Sequence, residues 1–171
     1  MKLSAYVLAM AMTASTLVGC ATSPTGRNQI LLFGSDQLNA MGAQAFDGMK
    51  SETPVSKQPA QNQYVQCVAD TLLPYVPSGV YSGDWEVVVF NDDQVNAFAL
   101  PGGKIGVYTG LLKVATNQHQ LAAVIGHEIG HVIAQHGNER MSQTTLIQTG
   151  SQVANQVLAA NQVPYNAEIM G

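Results

Sequence analysis

The feature that most constrains this chain is the run His127-Glu128-Ile129-Gly130-His131, set inside an apolar helical pattern over residues 118 to 137. In an α-helix each residue turns about 100°, so histidines four apart sit about 40° from each other and roughly 6 Å apart along the axis. Both imidazoles can then reach one cation, with Glu128 on the adjoining flank. Two neutral imidazole nitrogens and a carboxylate beside the metal are what a zinc peptidase needs, the carboxylate acting as base toward water. A five-residue match can arise by chance, so its surroundings decide its weight. Between residues 117 and 137 Glu128 is the sole carboxylate, no Lys or Arg accompanies it, and Leu121, Val124, Ile125, Ile129, Val132 and Ile133 flank it. A lone Glu in such company is costly to bury unless a cation or a proton stabilises it, which favours a metal site over a hydrogen-bonded core cluster. A membrane span fares worse, since two His and a Glu in about twenty residues are a heavy burden in lipid.

The N-terminus follows a different logic. Lys2 precedes the mostly apolar stretch Leu3 to Val18, which ends in Leu17-Val18-Gly19-Cys20. This ending resembles the lipobox of bacterial lipoproteins, which implies cleavage before Cys20 and lipid on its thiol. An ordinary signal peptide and a first membrane anchor are the alternatives. Ala21 follows the cysteine where Asp would mark inner-membrane retention, so the resemblance implies an outer-membrane lipoprotein facing the periplasm. Without residues 1–19 the chain has six basic and eleven acidic residues, a formal charge of −5, and nothing in it suggests a nucleic-acid partner. Cys67 is then the only unmodified thiol; its place in an apolar helical pattern predicts a small buried side chain, with an intermolecular bridge as the alternative.

The rest of the chain predicts an α+β fold. Residues 21–29, rich in Thr, Ser, Pro and Gly, predict a tether, and Ile30 to Phe33 a short apolar stretch that docks on the domain. Ser35 or Asp36 caps a helix to about Met49, with Leu38, Met41, Ala45, Phe46 and Met49 at helical spacing. A second helix runs from about Ala60 to Tyr75 through Tyr64, Val65, Val68, Leu72 and Leu73, and ends at prolines. The period then becomes alternating: Trp85 to Phe90 predicts a strand, and Val95–Leu100 and Lys104–Tyr108 predict two more about Pro101-Gly102-Gly103. Thr109 caps a short helix and Asn117 the H-E-x-x-H helix, which Gly137 and Asn138 break. Residues 141 to 160 resume as a helix with Leu146, Ile147, Val153, Val157 and Leu158 on one side.

Two motifs in order, Asn96-Ala97-Phe98-Ala99-Leu100-Pro101-Gly102-Gly103 with Ile105-Gly106-Val107-Tyr108-Thr109-Gly110-Leu111-Leu112, then H-E-I-G-H with His136-Gly137, resemble the zinc metallopeptidases related to HtpX and to the CaaX prenyl-protein protease. The resemblance spans about residues 25 to 140, and Thr25-Gly26-Arg27-Asn28-Gln29 resembles the start of periplasmic lipoprotein members. It implies a helical zincin-like domain with a small sheet or hairpin beside the H-E-x-x-H helix. It further implies a gluzincin site holding one Zn²⁺ per complete protein through His127 and His131, Glu128 as catalytic base, and a Glu ligand on a later helix. Asn96, Ala97, Phe98 and Ala99 would line the cleft and pair with an extended substrate. An E-x-x-x-D motif several tens of residues after His127 is not found, and Glu168 stands outside any such motif. The expectation is therefore a signal peptide at 1–19, a lipidated tether at 20–34, and the N-terminal part of the peptidase domain at 35–171, the third ligand lying beyond residue 171. His136, nine residues after His127, would fall on the far side of a continuous helix, serving its C-terminal carbonyls or a ligand from behind; His119 in the first turn is expected to be exposed.

The implied activity is zinc-dependent endoproteolysis of unfolded or misassembled membrane and periplasmic proteins. The alternative is a non-catalytic, chaperone-like binding lipoprotein, or an inactive piece of the peptidase. Because Cys20 ends the lipobox-like segment, Cys20→Ala is expected to abolish acyl labelling and to leave unprocessed or soluble protein; metabolic labelling with a fatty acid checks this, and unchanged labelling refutes it.

Overall fold

The computed structural model describes residues 19–160, with the side chains of 21–156. The signal-like segment 1–18, Glu168 and the side chains of Val157 and Leu158 lie outside it. The period-two stretch forms the centre of the fold, a three-stranded sheet of β3 (Glu86–Phe90), β4 (Ala97–Leu100) and β5 (Lys104–Tyr108) in the order β3-β5-β4. β4 returns antiparallel onto β5 with Ala97 opposite Val107 and Leu100 opposite Lys104, while β3 runs parallel to β5. The hairpin turn needs its glycines: Gly102 and Gly103 take φ +81° and +68°, where a Cβ is strained, and they lie against the Asn39 backbone and the Tyr81 ring.

Apolar residues on both faces of β3 require cover on both sides. On one face Val89, Ala97, Ile105 and Val107 pack with Val65, Val68 and Ala69 of α2 (Pro59–Leu72) and with Leu121, Ile125 and Ile129 of α4 (Gln118–Ile133). On the other face Phe90, Phe98 and Tyr108 gather around Phe46 of α1 (Ser35–Glu52), with Phe46 and Phe90 edge to face at 5.8 Å. A short helix α3 (Thr109–Val114) follows β5, and its Thr109 hydroxyl donates to the Asp92 carbonyl at 2.8 Å. Tyr108, not Thr109, stands at the cap position of α3. Asn117 caps α4 as expected, its Oδ1 accepting from the N–H groups of His119 and Gln120 at 3.1 and 3.0 Å.

Several expectations change. The α1 cap is Gly34 without a side-chain bond, and the buried stripe is Leu38, Gly42 and Phe46 at spacing four, so Met41 faces outward. Cys67 is exposed, because Val65, Val68 and Ala69 occupy the buried face and leave position 67 on the opposite one. The stretch expected as a tether forms a hairpin, β1 (Gly19–Thr22) against β2 (Asn28–Leu31), with Cys20 opposite Ile30. The break after α4 falls at Ala134 and Gln135, the latter at φ +54°, and α5 (His136–Ala160) starts at once, with Gly137 and Asn138 in its first turn. The described buried side chains of α5 are polar, Asn138, Glu139 and Ser142, and face the hairpin; Leu146, Ile147 and Val153 are exposed. Among the described residues no helix is long and apolar enough to cross a membrane.

The two inner glycines of α1 make a matched test. A Cβ on Gly42 would collide with the Pro101 carbonyl, whereas one on Gly48 meets nothing. Gly42→Ala is expected to lower stability by about 1–3 kcal/mol as α1 is pushed off the β4–β5 turn. Gly48→Ala should raise it by about 0.5–1 kcal/mol through helix propensity alone. Urea unfolding of both variants checks the pair.

Candidate metal centre and its groove

The position of the H-E-x-x-H side chains follows from what α4 buries. Leu121, Ile125 and Ile129 are the buried residues of this helix, so His127 and His131, each two positions past one of them, lie about 200° around and face away from the core. Nε2 of His127 and Nε2 of His131 converge to 3.0 Å, with the rings 4.5 Å apart at 80°. One ligand atom from each of His127, Glu128 and His131 can be chosen so that all lie within 4.8 Å of one another. Two nitrogens at about 2.05 Å from a tetrahedral zinc stand roughly 3.3 Å apart, so the imidazole pair fits this ion with little adjustment, and two imidazoles with a nearby carboxylate suit it chemically. Among the described residues no other His, Cys, Asp or Glu joins the group.

Glu128 and His131 open onto a groove of about 510 Å³ walled by Leu38, Phe98, Ala99 and Leu100, with the α4–α5 turn at its end. Of the four residues expected to meet substrate, Phe98 and Ala99 line this groove; Asn96 is exposed at the strand start, and Ala97 points its methyl group into the core. β4 is an edge strand. The Tyr108 N–H donates to the Asn96 carbonyl at 3.1 Å. By the alternation of an antiparallel ladder, Phe98 and Leu100 then make the bonds to β5, and Ala97 and Ala99 turn their N–H and C=O groups to the outer edge.

His136 departs furthest from its sequence reading. A continuous helix would carry it away from His127 and His131, but Gln135 in the left-handed region ends α4, and α5 begins with His136 folded back so that its Nδ1 lies 2.6 Å from Nδ1 of His131. His119 is exposed, as expected. The residues that sequence reasoning missed are Arg27, Gln29 and Glu139. The Glu139 carboxylate takes a bidentate pair from Arg27 at 2.5 and 2.6 Å and a bond from Gln29 at 3.1 Å, and Gln29 Nε2 also donates to the Ala134 carbonyl at 2.9 Å. The sequence signal for them is the Thr25–Gln29 motif, which carries a family likeness but no indication of a contact. Among the described residues, no buried side-chain nitrogen or oxygen lacks a partner.

Residues 59–169 match the sequence profile described as Peptidase family M48. The chain belongs to this family. It is 32% identical over 136 residues, 80% of its length, to the mitochondrial metalloendopeptidase OMA1 of Arabidopsis thaliana, and 30% identical over 129 residues, 72% of its length, to metalloendopeptidase OMA1 of Bos taurus. It is also 29% identical over 96 residues, 56% of its length, to the beta-barrel assembly-enhancing protease of Escherichia coli. These matches cover 26%, 24% and 19% of the three relatives, so the chain spans about a quarter of their length or less. The M48 membership agrees with the metallopeptidase resemblance carried by the two motifs, and the α+β architecture with the zincin-like fold expected from it.

Arg27, by hydrogen bond and by charge, holds the Glu139 carboxyl down to about 2 from the usual 4.5; burial opposes this and Gln29 reinforces it. A depressed carboxyl contributes stability that is complete above the unfolded value and lost as pH falls through the folded one. The urea midpoint of wild type should therefore fall more steeply between pH 4.5 and about 2 than that of Glu139→Gln. The lowered carboxyls of Asp47, Glu86 and Asp93 are common to both proteins and cancel in the comparison.

Proposed function

We propose that this chain carries the metal-binding core of a zinc-dependent endopeptidase that cleaves unfolded or misassembled proteins of the periplasm and outer membrane, held to that membrane by lipid on Cys20. The observation that carries the enzymatic reading is the convergence of the His127 and His131 Nε2 atoms to 3.0 Å beside Glu128, at a groove bordered by a strand edge, in an M48 chain. The location rests on the lipobox-like ending at Cys20, and on a relative whose name is beta-barrel assembly-enhancing protease; other relatives are named mitochondrial.

His127 and His131, whose Nε2 atoms converge, would hold the ion. Bound zinc supplies a Lewis acid for a carbonyl oxygen and lowers the pKa of water. Glu128 lies beside the ligands, where its carboxylate can take a proton from the attacking water as the oxygen–carbon bond forms. It returns that proton to the amine as the carbon–nitrogen bond breaks, so the base is restored. An extended substrate pairs with the outward N–H and C=O of Ala99, and of Ala97 where the edge is open, while Phe98, Leu38 and Leu100 offer an apolar wall. Recognition through backbone groups is indifferent to side-chain identity, which suits unfolded substrates.

The roles separate by mutation. Glu128→Gln is expected to keep zinc, measured by elemental analysis after dialysis, while turnover of a casein-like unfolded protein falls by about a hundred- to ten-thousand-fold. His127→Ala and His131→Ala should lose both metal and activity. Cleavage by Glu128→Gln at the wild-type rate would remove Glu128 from the mechanism.

A further inference from the structure

The polar ties made by the N-terminal hairpin and the segment after it are concentrated on a few residues. Gln29 caps the Ala134 carbonyl at the end of α4, and Arg27 with Gln29 grips Glu139 in the first turn of α5. Asn138 clamps the chain just beyond β2, accepting from the Phe33 N–H at 3.3 Å and donating to the Phe33 carbonyl at 2.9 Å, and its amide also donates to the Gln135 side chain at 3.2 Å. These contacts stand on both sides of Gln135, the residue whose left-handed backbone turns His136 toward His131. An N–H···N bond holds one proton, so the short approach of the two Nδ1 atoms engages one ring nitrogen of His131 and leaves Nε2 as the atom aimed at His127.

A hydrophobic clip would attach the hairpin as firmly, since an ion pair whose guanidinium is about half exposed contributes little net stability. Bidentate and paired amide bonds instead fix orientation. We propose that the β1–β2 hairpin is a positioning element of the metal centre: through Arg27, Gln29 and Glu139 it holds the Ala134–Gln135 turn in the shape that sets His136 behind His131 and orients the His131 ring. This rests on His127 and His131 being metal ligands. His136 and Arg27 are positioning residues, acting on the ion only through His131. The cysteine expected to carry lipid, Cys20, lies in β1 of this hairpin, so the expected attachment point and the H-E-x-x-H helix are joined by one short polar path.

The test is cobalt(II) affinity of the full-length protein, by chelator competition followed through the visible cobalt spectrum, on variants whose near-ultraviolet circular dichroism matches wild type. His136→Ala is expected to weaken cobalt binding about ten- to a hundredfold, the usual effect of removing a partner behind a ligand. Arg27→Met should weaken it by about tenfold at the low end of that range. The double variant should bind no worse than His136→Ala alone, because both changes act on one ring orientation. His136→Asn, whose amide oxygen can still accept from His131, should recover part of the loss. If Arg27→Met does not fold, Arg27→Lys, which keeps the charge but loses the bidentate geometry, is read in the same way. Wild-type affinity in folded Arg27→Met or Arg27→Lys, or a loss that adds fully to that of His136→Ala, overturns the proposal and leaves the hairpin as a structural clip. Wild-type affinity in His127→Ala and His131→Ala would instead overturn the ligand reading itself.

Discussion

The candidate metal centre depends first on the burial of one face of α4. Leu121, Ile125 and Ile129 are sealed between the sheet and α2. Each such side chain is worth about 1.5–3 kcal/mol when taken from water, whereas a net hydrogen bond contributes about 1 kcal/mol. Rotating the helix to suit the histidines would expose all three, so apolar burial sets the orientation and the imidazoles take the face that remains. The Asn117 cap fixes where the helix begins, and therefore which turn carries each histidine.

The sheet makes the second contribution. β5 is covered on both sides and paired on both edges, which leaves β4 as the edge beside α4. Phe98 can lie across Gly106 because that residue has no side chain to displace the ring, and the Gly102–Gly103 turn keeps β4 close to α1 at Asn39 and Pro101. The same packing that buries the aromatic cluster therefore builds the apolar wall of the groove, and Phe98 and Leu100 border core and cleft at once.

At the far end of α4 the chemistry changes from apolar to polar. Asn138, Glu139 and Ser142 are buried against the hairpin and the residues after it, each with a satisfied partner. A left-handed non-glycine residue such as Gln135 is uncommon and mildly costly. It persists here because bonds on either side define its backbone: its N–H donates to the Val132 carbonyl and its own carbonyl accepts from the Glu139 N–H. This turn decides whether His136 is remote from the His127–His131 pair or against His131.

The residues alone determined the helix that carries H-E-x-x-H, its Asn117 cap, the alternating strands and the glycine turn between β4 and β5, because each depends on near neighbours and on the periodicity of helix or strand. The pairing of His127 with His131 was legible for the same reason, being a property of spacing within one helix. The tertiary structure decided the rest. Cys67 turned outward because Val65, Val68 and Ala69 claimed the buried face; Gly42, not Met41, met the core because Pro101 came up against it. The stretch that looked like a tether became a hairpin because Arg27 and Gln29 found Glu139, more than a hundred residues away. His136 reached His131 because α4 ended at Ile133 and the Ala134–Gln135 turn brought the chain back. The last two could not be read from local pattern, since an ion pair between distant residues and the φ angle of a single turn residue exist only once the elements are packed together.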